Sequence, residues 1–140
     1  MILISVGPHR MGIDAGALKE IRNDQDLSAK ELGCEAILSA HALFGVKRQQ
    51  GKRLLVLRPG RVAVRVDRVD RMIEASAVCS FPRAFQGAER QWYLGYILEG
   101  EIVFPILNSQ TLEREALAAL SNGTGSAGEA QDVTLEVVAP

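Results

Sequence analysis

The sequence predicts a mainly β protein built on a small barrel of short strands, with a few short helices. Residues 53–107 carry most of that expectation. They read as strand-like runs broken by turn signals: RLLVLRPGRVAVRVDRV, a polar and aromatic spacer, then WYLGYILEGEIVFPIL. Val62, Val64 and Val66 alternate with Ala63, Arg65 and Asp67, the period of two expected of a half-buried strand. Arg58-Pro59-Gly60-Arg61 turns the chain before it, because Pro presets one central position and Gly supplies positive φ at the next. Glu99-Gly100 does similar work between Ile97-Leu98 and Ile102-Val103. A small barrel with no visible catalytic cluster is a binding platform before it is an enzyme.

The remaining elements follow in order. Residues 2–6 are apolar and β-prone, Gly7-Pro8-His9-Arg10 is a turn, and 11–13 return as a second hairpin arm. Residues 17–21 fit a helical turn or a strand end, and 23–26 are loop-like. Ser28 caps a short helix to Leu32, with Glu31 as the return partner of a capping box. Residues 36–44 suit a strand running into one helical turn stopped by Gly45. Residues 47–52 are a charged connector. After Val69 comes a further strand at 72–75, then a descent to Pro82 and a loop over 83–91. Pro105 sits late in its strand and donates no ladder bond, which predicts an edge or bulge there. Asn108 or Ser109 caps a helix through Leu120, with Leu112, Ala116, Leu117 and Leu120 on one stripe and Ser121-Asn122-Gly123 stopping it. Residues 124–131 are a flexible linker by composition, and 133–138 read as a terminal strand.

The 140 residues allow one domain or two small, intimately packed subdomains, and 47% apolar content is enough for a core. Net charge is only -1, but it is uneven. Nine basic residues between Lys47 and Arg71 face only Asp67 and Asp70, so that segment is +7 and the rest of the chain -8. Such asymmetry steers acidic partners to one face or decorates a solvated strand face. Cys34 and Cys79 show neither a CxxC nor paired His spacing, so they read as buried small side chains in a reducing compartment, ahead of a disulfide. The start lacks the pattern of a secretory signal and no apolar stretch reaches the ~18 residues of a membrane span. The expected location is the cytoplasm.

LLVLRPGRVAVRVDRV, then Phe81-Pro82, then YLGYILEGEIVFPIL and a short helix resemble the second half of a CheW-like domain. That family comprises the chemotaxis coupling proteins and the regulatory domain of the CheA histidine kinase. The hairpin matches a G-x-x-x-x-G-x-I-V-x-x-L pattern at Gly95, Gly100, Ile102, Val103 and Leu107. Residues 36–45 resemble the family's bridge between halves, and Leu18-Lys19-Glu20-Ile21 its V-x-E-I element. The resemblance covers most of residues 1–120. It implies two small SH3-like five-stranded barrels: a first subdomain of about 1–46 plus the 108–120 helix, and a second of about 53–107. A 121–132 linker and a 133–140 strand or tail follow. One departure matters. The family's first half carries a Pro loop and a hairpin written roughly G-V-I-N-L-R-G, and here 22–35 reads only RNDQDLSAKELGCE. The first barrel is therefore expected to be reduced, and the Arg that would partner Glu20 has no counterpart. The 133–138 strand is expected to fill the open edge this leaves.

The resemblance implies a non-enzymatic adaptor without a cofactor. Its partners would be the regulatory domain of a CheA-type kinase, a chemoreceptor tip or another CheW-like protein. Such folds pair through exposed apolar patches and strand edges. The expected partner-binding residues are Leu18, Glu20 and Ile21 at the junction of halves, and Leu94, Tyr96 and Leu98 on the second hairpin. Alternation lets only one of Leu94/Tyr96/Leu98 and Tyr93/Gly95/Ile97 face outward. Trp92 is the only Trp and reads equally as an interface anchor or a core residue. The alternative function is nucleic-acid binding through the basic 47–71 segment; 5% aromatic content and slight negative charge weigh against it. Catalysis is weaker still. His9 lies in a turn, His41 in an apolar stretch reads as a packing histidine, and Asp67 and Asp70 read as salt-bridge partners of arginines. No phosphate loop, zinc spacing or GxSxG element occurs.

Overall fold

The structure, a computed structural model, describes residues 1–23, 28–45, 53–74, 77–82, 84, 88–122 and 131–133. Its elements are β1 (Ile2–Val6), β2 (His9–Ile13), β3 (Leu18–Arg22), α1 (Ala29–Leu32), β4 (Ala36–Ser39), α2 (Ala40–Leu43), β5 (Arg53–Leu57), β6 (Val62–Val66), β7 (Arg68–Met72), β8 (Tyr93–Glu99), β9 (Ile102–Leu107), α3 (Ser109–Asn122) and β10 (Gln131–Val133). The strands make two five-stranded sheets, ordered β7-β1-β2-β9-β8 and β10-β4-β6-β5-β3. The mainly β class is as predicted. Neither sheet closes on itself: among the described residues no ladder joins β7 to β8 or β10 to β3.

Local chemistry explains the element ends. Ser28 Oγ accepts the Glu31 N–H at 3.2 Å, and Gly33 ends α1. The Asn108 side chain accepts the Thr111 N–H at 3.3 Å to start α3. Gly60 and Gly100 take φ of 109° and 64° at the two turns, as their neighbours' strands require. The 36–44 segment is a strand followed by one helical turn, as expected.

Other expectations are resolved or revised. Of the two alternatives left open for 17–21, the strand is the one found over 18–22, because Leu18 and residues 20–22 pair with β5. The chain bends at Asp67, so β7 starts at Arg68 instead of Met72. A 3-10 turn spans Ala88–Trp92, over the end of the expected loop and the expected first residue of the hairpin, and α3 runs on to Asn122 through Ser121. Pro105 lies in a strand flanked on both sides, but β9 meets β2 only through Ile106 opposite Gly12, so little ladder is lost. The expected loop residues 24–26, connector 47–52, loop residues 83 and 85–87, linker residues 124–130 and tail 134–140 lie outside the described residues, as does the end of the 72–75 strand.

The two sheets interleave along the chain. The first takes β1 and β2 from the N-terminal stretch and β7, β8 and β9 from 53–107; the second takes β3 and β4 from the former and β5 and β6 from the latter. The partition by sheet is thus not the partition at residues 46 and 53. The main core lies between the sheets. Ile2, Ile4 and Val6 of β1 meet Val62, Val64 and Val66 of β6, and Trp92, Leu112 and Ala116 close it. Each sheet also buries part of its far face: Ile37, Leu54, Val56 and Ala63 beneath Ala29 of α1 on one, and Leu3, Ile97, Phe104 and Ile106 on the other. Val62 and Ala63 therefore face two different cores, and the alternation predicted as core against water becomes core against core until Arg65. β10 runs parallel to β4 at the outer edge of the second sheet, with Val133 beside Leu38.

Candidate partner-binding surface

β8 and β9 form a hairpin with Tyr96 opposite Pro105 and Leu98 opposite Val103. Alternation along β9 puts Leu107, Pro105 and Val103 on one face. At Leu107 that face is sealed in the main core. Toward the hairpin tip the cover ends, and Val103 is 51% exposed. On β8 the outward set is Leu94, Tyr96 and Leu98; the first and last are each 54% exposed, while Gly95 and Ile97 turn inward. An overhanging apolar face of Leu94, Tyr96, Leu98, Val103 and Pro105 results. Full burial of a Leu or Val side chain is worth about 1.5–3 kcal/mol. Covering the exposed halves of Leu94, Leu98 and Val103 would then yield about 3 kcal/mol.

Segment 77–82 runs along the outer edge of β8. Cys79 and Tyr96 exchange backbone hydrogen bonds of 2.8 and 2.9 Å. The Phe81 ring lies 5.5 Å from Tyr96 and 6.2 Å from Tyr93, with the Arg90 guanidinium 5.2 Å from its centre. The row of rings continues from Tyr93 through Phe44 to His9.

The other expected set divides. Leu18 is 6% exposed and packs in the main core, so its side chain is not surface. Glu20 and Ile21 are exposed on β3, the outer strand of the second sheet. They stand on a different sheet edge from the hairpin set. The cation beside Glu20 is Arg22, at 3.7 Å, from its own strand. A cleft of about 380 Å³ opens where the sheets meet, lined by Asp14, Arg58, Leu94 and residues 107–110 among others. Trp92 is a core residue.

The polar groups form structural links. His41 is buried, and its Nε2 bonds Asp67 Oδ1; Asp67 Oδ2 accepts the Gly7 N–H. Asp67 thus holds α2, the β1–β2 turn and the point where the chain passes from one sheet to the other. The arginine pairing expected of both aspartates holds for Asp70, which lies 3.6 Å from Arg68 and accepts the buried Ser5 hydroxyl. Asp67 differs because the bend after β6 turns it toward α2. Sequence spacing offered no signal for a pair 26 residues apart.

The basic segment is split between the sheets, β6 in one and β7 in the other. Arg61 pairs with Glu35, Arg68 with Asp70 and Arg71 with Glu99. The Arg61 guanidinium holds the Glu35 carboxyl below its ordinary range. Both cysteines are free thiols, and burial pushes the Cys34 thiol up. Among the described residues no helix is long and apolar enough to cross a membrane. No protein-family model matches the chain, and no curated protein matches it.

Proposed function

We propose that this chain is a non-enzymatic, cytoplasmic adaptor of the CheW-like kind, serving chemotaxis-like two-component signalling. On this reading the chain is a CheW-like fold whose first half is reduced, because the family's Pro loop and hairpin have no counterpart between Arg22 and Glu35. The overhanging apolar face of the β8–β9 hairpin docks the regulatory domain of a CheA-type kinase, and binding acts by holding the kinase in place. The observation that carries the reading is that Leu94, Leu98 and Val103 leave apolar surface exposed on the same face that Leu107 buries. An exposed apolar face of this kind is the pattern of a protein interface. Glu20 and Ile21 offer a second, smaller contact for a receptor tip or another CheW-like protein.

The test is a titration against the regulatory domain of a CheA-type kinase from the same organism, with a receptor tip in parallel. Micromolar binding to the kinase domain that Leu94→Arg or Leu98→Arg abolishes is the expected result. No binding to either partner overturns the adaptor reading. Salt-sensitive binding to DNA in the same series would favour the basic segment instead.

A further inference from the structure

The outer edge of β8 is covered at one rung. Among the described residues, Cys79 opposite Tyr96 is the only bridge between segment 77–82 and β8. Residues across an antiparallel bridge share a face, as do those two positions along. Extending the register from this rung puts Ala77 across from Leu98 and Phe81 across from Leu94. Neither rung forms. Ala77 is too small to cover Leu98, and Phe81 has turned onto the rings of Tyr93 and Tyr96. Leu94 and Leu98 stay more than half exposed in consequence. The edge is nonetheless shaped for a strand. A Cβ at Gly95 would clash with the Cys79 carbonyl oxygen and lie 2.9 Å from Val78 Cγ1. Gly95 has no positive φ to explain it, so its role is the space it leaves for a backbone alongside.

We infer that the β8 edge is a strand-addition site, and that segment 77–82 is a strap covering it until a partner arrives. The occupant is an extended segment of a protein partner, antiparallel to β8, with large apolar side chains at alternating positions. It takes the Cys79 rung, adds rungs at Leu94 and Leu98, and buries both leucines, as in other cases of β-augmentation. The strap uses one rung of three and competes only because it is tethered. This inference rests on the hairpin being the partner-binding face.

The probe is a synthetic peptide copying residues 77–82 with A77V, to fill the space over Leu98, and C79S, to prevent oxidation. It is titrated by fluorescence polarisation against the full chain and against F81S, which loosens the strap by removing its ring from Tyr93 and Tyr96 and changes no residue of β8. F81S should bind at least about tenfold tighter, because the internal competitor is weakened. The Tyr96 amide should exchange faster in F81S and slow again with peptide. Adding G95A to F81S should abolish binding through the clash with the incoming carbonyl. A control peptide carrying C79P, which lacks the N–H donor, should fail without any change to the protein. Equal binding to the full chain and F81S, no binding to either, or binding indifferent to C79P overturns strand addition. Kinase-domain binding that F81S leaves unchanged, with no peptide binding, would defeat the strap while leaving the adaptor reading intact. Peptide binding without kinase-domain binding would do the reverse.

Discussion

Asp67→Ala should be among the most damaging polar substitutions in this chain. The carboxylate is 13% exposed and the His41 side chain 3%. Two hydrogen bonds end on it, from His41 Nε2 and from the Gly7 N–H. A hydrogen bond to a charged group contributes about 1.5–3 kcal/mol, and a buried donor that loses its acceptor costs a similar amount. Allowing for relaxation of the Gly7 turn into water, the loss should be about 3–5 kcal/mol. Total stability for a domain of this size is on the order of 5–15 kcal/mol, so the change is a large fraction of it. The melting temperature should fall by about 10 °C. Asp67→Asn keeps one acceptor and should cost about half as much. Urea unfolding followed by the fluorescence of Trp92, the only Trp and a core residue, measures both. A shift below about 1 kcal/mol for Asp67→Ala would refute the claim that this carboxylate ties the sheets together.

Three further outcomes follow from the same geometry. Leu98→Arg should leave urea stability within about 0.5 kcal/mol of the parent, since its side chain already stands in water; a larger loss in urea would mean that Leu98 belongs to the core. Glu35 has its carboxyl lowered by Arg61, so its contribution is present above the unfolded-state value and lost as pH falls through the folded one. The stability difference between the parent and Glu35→Gln should therefore be largest near neutral pH, vanish in strong acid and shrink with added salt, as pH-dependent melting would show. Truncation after Asn122 removes β10 and bares the edge of β4, so it should lower stability by up to about 2 kcal/mol and raise self-association; a truncated chain that melts unchanged and sediments as before would show that β10 protects nothing.

Much of the local structure was legible because it depends on residues close in sequence. Ser28 and Gly33 bracket α1, Asn108 caps α3, and Gly60 and Gly100 sit in the turns expected of them. On β8, alternation narrowed the outward residues to two sets, but it could not choose between them. That choice depends on where the second sheet stops covering the β9 face, between Leu107 and Val103. Leu18, expected at a partner-binding junction, is a core residue for the same reason. Its neighbours Glu20 and Ile21 are exposed, while Leu18 turns into the space between the sheets.

The sequence by itself determined that this is a β-rich chain and where most of its turns and helix caps fall. Those properties are summed from propensities and from contacts a few residues apart. Tertiary structure alone decided the strand order, the parallel pairing of β4 with β6, the crossing at Asp67 and the link from Asp67 to His41. These join residues far apart along the chain. Which of the many apolar strands meet is set by the packing of two sheets around a shared core, and no local pattern encodes that choice.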